Sequence, residues 1–176
     1  MSESAVRAYA AERRFAAALL GRWLAQPPAD RDALLALATQ FRLGENQLRD
    51  VLDDLNAIGA RRNCAIGAVL SDAAVRAVLA RPLGRNEGIK ALKQTLRRLR
   101  FPQLSAAEQR LADLARALAL PRGVRVELPD NLEGEQIGVT LRAGSAAELR
   151  AQTDALAAAL RGGAIDEMFA VLEGSA

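Results

Sequence analysis

Lys90, Lys93, Arg97 and Arg100 recur three and four residues apart within the segment RNEGIKALKQTLRRLR, which runs from Arg85 to Arg100. On a helix that spacing gathers the four cations into one stripe. Such a stripe suits a partner that presents a row of anions, because each cation that meets a phosphate releases a bound counterion. Ile89, Leu92, Leu96 and Leu99 repeat with the same spacing beside it and form an apolar stripe. Glu87 is the only acid in the segment. The helix is expected to dock by its apolar face and to offer its basic face to a polyanion such as nucleic acid, or to an acidic protein.

A second constellation lies at residues 31–58. Leu34, Leu35, Leu37 and Phe41 predict one helix over 31–41, starting near Asp30 or Asp32 as a cap. Leu48, Val51, Leu52, Leu55 and Ile58 predict another from Glu45 to Ile58, with Gly59 as its stop. Arg42-Leu43-Gly44 joins them. A DNA-reading helix-turn-helix needs a small residue in its first helix, an apolar residue in its turn and an exposed face on its second helix. Ala38, Leu43 and the trio Asn46, Gln47 and Arg49 fill those places, and the trio has side chains that can address base edges. Two features favour a plain helical hairpin instead. The usual turn glycine would fall at Arg42, and Glu45, Asp50, Asp53 and Asp54 bring acid towards any phosphate.

Residues for covalent or acid–base chemistry are sparse. There is no histidine, so the commonest general base and metal ligand is missing. Ser71, Ser105 and Ser145 stand where helix caps are expected. Asp53 and Asp54 diverge as neighbours on a helix, and Glu133 and Glu135 fall in a loop, where a solvated turn and a weak metal site are both open readings. No phosphate-binding glycine loop is present. The expectation is a protein that is not an enzyme and uses neither cofactor nor metal. Cys64 is the only cysteine, which excludes an internal disulfide and reads as a buried structural thiol in a reducing compartment. No apolar run approaches a membrane span, and the N-terminus lacks the apolar core of a signal peptide, so the chain reads as cytoplasmic with no membrane partner.

The elements that must position these residues follow from composition and period. Half of the 176 residues are apolar, mostly Ala and Leu, which favour helix. One long helix is expected over 3–25, stopped by Pro27 and Pro28. A bend and a short helix are expected over 60–70, and then a helix capped by Ser71 and ended by Pro82. Pro102 closes the basic helix, and Ser105-Ala-Ala-Glu108 reads as a capping box that opens a helix to Leu118. Beyond Gly123 the period changes to two: Val124, Val126 and Leu128, then Ile137, Val139 and Leu141, predict two antiparallel strands. Ser145-Ala-Ala-Glu148 is a second capping box, and its helix should carry Leu149, Thr153, Leu156 and Leu160 inward. A last helix holds Ile165, Met168, Phe169 and Leu172.

The fold class is therefore mainly α (α+β): a helical bundle over 1–102, followed by a helix–β-hairpin–helix unit over 103–176. A lone hairpin is marginally stable and must pack on its own helices or complete a sheet with a second copy. Val126, Ile137, Val139 and Leu141 are the candidate interface of such a homodimer. Charge divides along the same line. Residues 1–100 carry 17 Lys and Arg against 10 Asp and Glu, whereas residues 101–176 carry 7 against 11. A basic half joined to an acidic half points to a polyanion for the first.

The segments VRVELP, EGEQIGVTL and SAAELRAQTDAL, in the order helix, strand, strand, helix, give this third of the chain a resemblance to the C-terminal dimerisation domain of the ParB family of chromosome-partition proteins. The resemblance implies pairing with a twin through sheet and helix, and nonspecific contact of its basic residues with DNA. The lysine-rich strand of that family is absent here; Arg125 and Arg142 are the only strand bases. The family's nucleotide-binding segments are also missing. Taken together, the residues lead to a non-enzymatic, DNA-associated or regulatory protein acting as a dimer. The alternative is an adaptor whose basic helix docks on an acidic protein partner.

Overall fold

Prolines and left-handed residues, more than glycines, divide this chain. The computed structural model describes residues 3–129, 132, 134 and 136–174, in which helices dominate and one two-stranded hairpin is the only sheet. The chain divides into two compact units, Met1–Arg100 and Phe101–Ala176.

The first unit holds α1 (Glu3–Glu12), α2 (Ala17–Leu24), α3 (Pro28–Phe41), α4 (Glu45–Arg62), α5 (Ile66–Leu70), α6 (Ala73–Leu79) and α7 (Arg85–Arg100). The single helix expected over 3–25 is two helices. The chain turns at Arg14, which takes a left-handed φ of 57°, and the Phe15 N–H returns to the Ala10 carbonyl. The turn sets Phe15 and Trp23 edge-on against Tyr9, with ring centroids 5.9 and 6.0 Å apart. Edge-to-face packing of three rings offsets the break. No glycine or proline announces it.

Pro28 does more than stop α2. It opens α3, where its missing N–H costs nothing. Asp30 is consequently inside the first turn rather than at the cap. It is buried, and its carboxylate accepts the Ile66 and Gly67 N–H groups at 3.2 and 2.8 Å. It caps α5, not α3. Asp72, not Ser71, caps α6, accepting the Ala74 N–H at 2.9 Å; the Ser71 hydroxyl donates to the Gly67 carbonyl instead. Helix α4 runs through Gly59 to Arg62. A Cβ at Gly59 would stand 2.7 Å from the Cys64 carbonyl oxygen, so the glycine allows a close crossing rather than a helix stop. Cys64 is half-buried at the edge of the core rather than enclosed.

The core of this unit joins Trp23, Leu34, Leu48, Leu52, Leu55 and Ile58 to Leu92 and Leu96 of α7. Burying each such side chain fully contributes roughly 1.5–3 kcal/mol. Gly88 lets α7 approach Phe41: a Cβ there would meet the Phe41 ring at 2.4 Å.

The second unit holds α8 (Pro102–Ala117), β1 (Val124–Glu127), β2 (Gly138–Leu141), α9 (Ala146–Leu160) and α10 (Ala164–Leu172). Helix α8 begins at Pro102 and not at Ser105. Proline is suited to the first position, so the helix starts early and encloses the serine. The Ser105 hydroxyl is buried without a hydrogen-bond partner among the described residues and forms no cap. At the second box the serine caps as expected, Ser145 Oγ accepting the Glu148 N–H at 3.1 Å, but Glu148 Oε2 accepts the N–H of Gly144, one residue before the cap, at 2.7 Å, so the reciprocal half of the box is displaced.

The strands pair antiparallel with Val124 opposite Leu141 and Val126 opposite Val139, so these four share one face. Val126, Leu128 and Ile137 pack on Leu111, Leu114, Ile165 and Met168, where α8 meets α10. Helix α9 departs from expectation. Leu149 and Leu160 are 47% and 55% exposed, Thr153 is exposed, and the buried residue is Gln152. Its Nε2 donates to the Arg142 and Arg122 carbonyls at 2.9 and 3.3 Å, which pins the outer ends of the hairpin to α9. With that amide facing in, Leu149 and Leu160 face out, while Leu156, one turn beyond Gln152, is half-buried.

Candidate nucleic-acid interface

The hairpin of α3 and α4 is built on four fully buried residues: Ala38 in α3, Leu43 in the turn, and Leu48 and Val51 in α4. Ala38 is small enough to let the turn close over it. The Leu43 N–H donates to the Ala38 carbonyl at 3.0 Å, and the Tyr9 hydroxyl stands 2.8 Å from the Ala38 oxygen and 3.0 Å from that of Leu43. Arg42 takes the left-handed conformation, φ 48° and ψ 51°, which ends α3. The position where a turn glycine was wanted thus has a glycine's backbone geometry with an arginine side chain on it.

Arg85 holds the turn from outside. Its Nε donates to the Phe41 carbonyl at 3.1 Å, and its Nη2 lies 3.1 Å from the Arg42 carbonyl and 3.2 Å from Gln47 Oε1. Arg13 reaches the Arg42 carbonyl as well, at 3.2 Å. Gln47 Oε1 also accepts the Gly44 N–H at 3.0 Å and so closes the start of α4.

The three expected base readers therefore differ. Asn46 is exposed. Arg49 is exposed and paired with Glu45 at 2.8 Å. Gln47 is half-buried, with its oxygen engaged by the cap and by Arg85.

The basic stripe of α7 also divides. Lys93 Nζ is 2.6 Å from Asp50 Oδ2, and Arg100 Nη1 is 2.9 Å from Asp54 Oδ1. Arg97 is half-buried, and Lys90 is exposed. Lys93 and Arg100 lie along the acidic side of α4 and brace the two helices together. Asp53 is matched from the other side by Arg22. Each acid that the sequence set against a phosphate—Glu45, Asp50, Asp53 and Asp54—thus has a cation beside it. The outer face of α7 is instead Asn86, Lys90, Gln94 and Arg98.

Of the four expected dimer residues, Val126, Ile137 and Leu141 are half-buried within their own unit, and Val139 is 39% exposed. Leu149 and Leu160 of α9 are more exposed than any of them. Sequence periodicity points to that stripe but assigns it inward. No group of three or more His, Cys, Asp or Glu able to hold a metal occurs among the described residues, and Glu133 and Glu135 lie outside them. No described helix is long and apolar enough to cross a membrane.

Arg42, Arg81 and Arg85 were not singled out from the sequence, although the displaced turn glycine already marked position 42. No family model, curated protein or solved structure matches the chain.

Proposed function

We propose that the chain is a non-enzymatic, DNA-associated or regulatory protein that meets duplex nucleic acid with the α3–α4 hairpin and acts as a dimer through its second unit. One observation carries the reading: Ala38, Leu43, Leu48 and Val51 are all fully buried around a turn whose Arg42 has the left-handed backbone of a turn glycine. That is the packing a helix-turn-helix requires. Neutralisation of the α4 acids by Arg49, Lys93, Arg22 and Arg100 supports it, since bare carboxylates on that helix would repel phosphate. The same pairs draw support away from the adaptor reading, because Lys93 and Arg100 already have carboxylate partners in their own unit.

The dimer is supported by the thin core of the second unit, by the apolar residues it leaves exposed at Val139, Leu149 and Leu160, and by the resemblance to the ParB dimerisation domain.

Fluorescence anisotropy of the full chain on a labelled duplex, at two salt concentrations, tests the first part. Affinity around 10⁻⁴ to 10⁻⁶ M at physiological salt, weakening by about 0.9 log units per phosphate contact per tenfold salt, is expected. No binding at low salt would defeat it. Sedimentation velocity of the full chain tests the second part. A dimer that Leu149→Glu with Leu160→Glu splits is expected, and a monomer at every concentration would remove it.

A further inference from the structure

Arg42, Arg81 and Arg85 come from the α3–α4 turn, from the segment after α6 and from the first residue of α7, and they line one recess of about 210 Å³ with Gln40, Phe41 and Leu83. No carboxylate lines it. Arg85 is fixed in place by the Phe41 and Arg42 carbonyls and by Gln47 Oε1. Those bonds also cover the last carbonyls of α3, whose partial negative charge would otherwise repel an anion. The guanidinium groups of Arg42 and Arg81 have no hydrogen-bond or ion-pair partner among the described residues, and both side chains are exposed. Gln40 does not compete for them, since its amide donates to the Leu79 carbonyl at 3.0 Å. Phe41 and Leu83 supply the apolar part of its lining.

The left-handed backbone of Arg42 fixes where its side chain leaves the turn. Its φ of 48° costs a non-glycine residue on the order of 1 kcal/mol, as at Arg14, Asn63 and Ala119, and glycine avoids that cost.

We propose that Arg42, Arg81 and Arg85 bind one phosphate group, and that in the nucleic-acid complex this is a backbone phosphate beside the α3–α4 turn. Arg42 and Arg81 supply the free planar forks, which grip such an oxyanion in a way that ammonium groups do not, while Arg85, whose Nε and Nη2 hold the turn and whose Nη1 lies 3.4 Å from Asn86 Oδ1, adds its charge and its remaining N–H. The inference rests on the nucleic-acid reading of the same hairpin, and the test separates the two.

The full chain and the double variant Arg42→Gly, Arg81→Ala are compared. Glycine accepts the left-handed backbone and Arg81 is exposed, so the variant is expected to melt no lower than wild type. Inorganic phosphate is titrated against chloride at constant ionic strength while the Arg85 Nε–H signal is followed by NMR, and duplex binding is measured at several salt concentrations. The expected result is a phosphate-specific shift of Arg85 in wild type, its loss in the variant, a fivefold or greater drop in duplex affinity estimated as about one lost phosphate contact, and a salt slope flatter by about 0.9. If Arg85 responds to phosphate but wild type binds no duplex, the phosphate recess stands with free phosphate or a phosphorylated small molecule as its ligand, and the nucleic-acid reading fails. If wild type binds duplex and the variant matches it in affinity and slope, the recess is overturned and the hairpin reading survives. Absence of both responses overturns the recess outright.

Discussion

Lys93 Nζ sits 2.6 Å from Asp50 Oδ2, so the middle of the longest basic stripe in the chain faces an acid of its own bundle. About one helical turn further along α4 and two turns further along α7, Arg100 meets Asp54 in the same way. The two pairs make a brace between α4 and α7 from part of that row, whereas the recess beside the α3–α4 turn gathers Arg42, Arg81 and Arg85 with no carboxylate among the described residues that line it.

Replacing Lys93 with Glu is expected to lower stability by about 1 kcal/mol or less, because an exposed pair is lost and a like charge is set against Asp50. Adding Asp50→Lys should restore most of it. A double-mutant cycle from urea unfolding checks this. Zero coupling between the two positions would mean that the pair does not brace the helices.

Asp72 provides a pH test. The hydrogen bond from Arg62, followed by that from the Ala74 N–H, holds its carboxyl below the usual carboxylate range. A carboxyl depressed by folding contributes stability above its unfolded value, near 3.9, and that contribution is lost as pH falls through the lower folded value. Asn is itself a good cap, so Asp72→Asn removes the charge and keeps the cap. Wild type should exceed the variant in unfolding midpoint at about pH 6, and the gap should close towards about pH 3. A gap that persists in acid would assign the effect to something other than this carboxylate.

Much of this architecture was legible because it is written locally. The apolar spacing of Leu48, Val51, Leu55 and Ile58 places α4, and period-two alternation places both strands within a residue or two. What escaped reading depends on partners distant in sequence. Asp30 caps a helix 36 residues later, Arg85 holds carbonyls 44 and 43 residues earlier, and Gln152 reaches back 30 residues to Arg122. The sequence around each is that of an ordinary helix surface. Ser105-Ala-Ala-Glu108 misled for a related reason: the box is genuine as a pattern, but Pro102 starts the helix first. The candidate site suffered most, since a charge stripe shows which residues align but not which acids oppose them.

Gly123 permits a sharper prediction. Its φ is 97°, and a Cβ there would stand 2.4 Å from the Arg142 carbonyl oxygen and 2.5 Å from Gln152 Nε2. Gly123→Ala should cost about 1–3 kcal/mol through strain and loss of the Gln152 contacts. Amide exchange in β1 and β2 should accelerate while α4 and α7 stay protected. Unchanged protection of the strands would show that the hairpin does not depend on this latch.

The carboxylate of Asp30 has a consequence for how the molecule opens. Helix α5 spans five residues, far too short to persist by itself, and two of its first amides are held by a side chain that belongs to α3. Its order is therefore borrowed. Whenever α3 lifts from the bundle, the Ile66 and Gly67 amides lose their acceptor in the same event, and the segment around them melts with it. Those two protons, followed by deuterium uptake, are a clock set by the first turn of a helix more than thirty residues away.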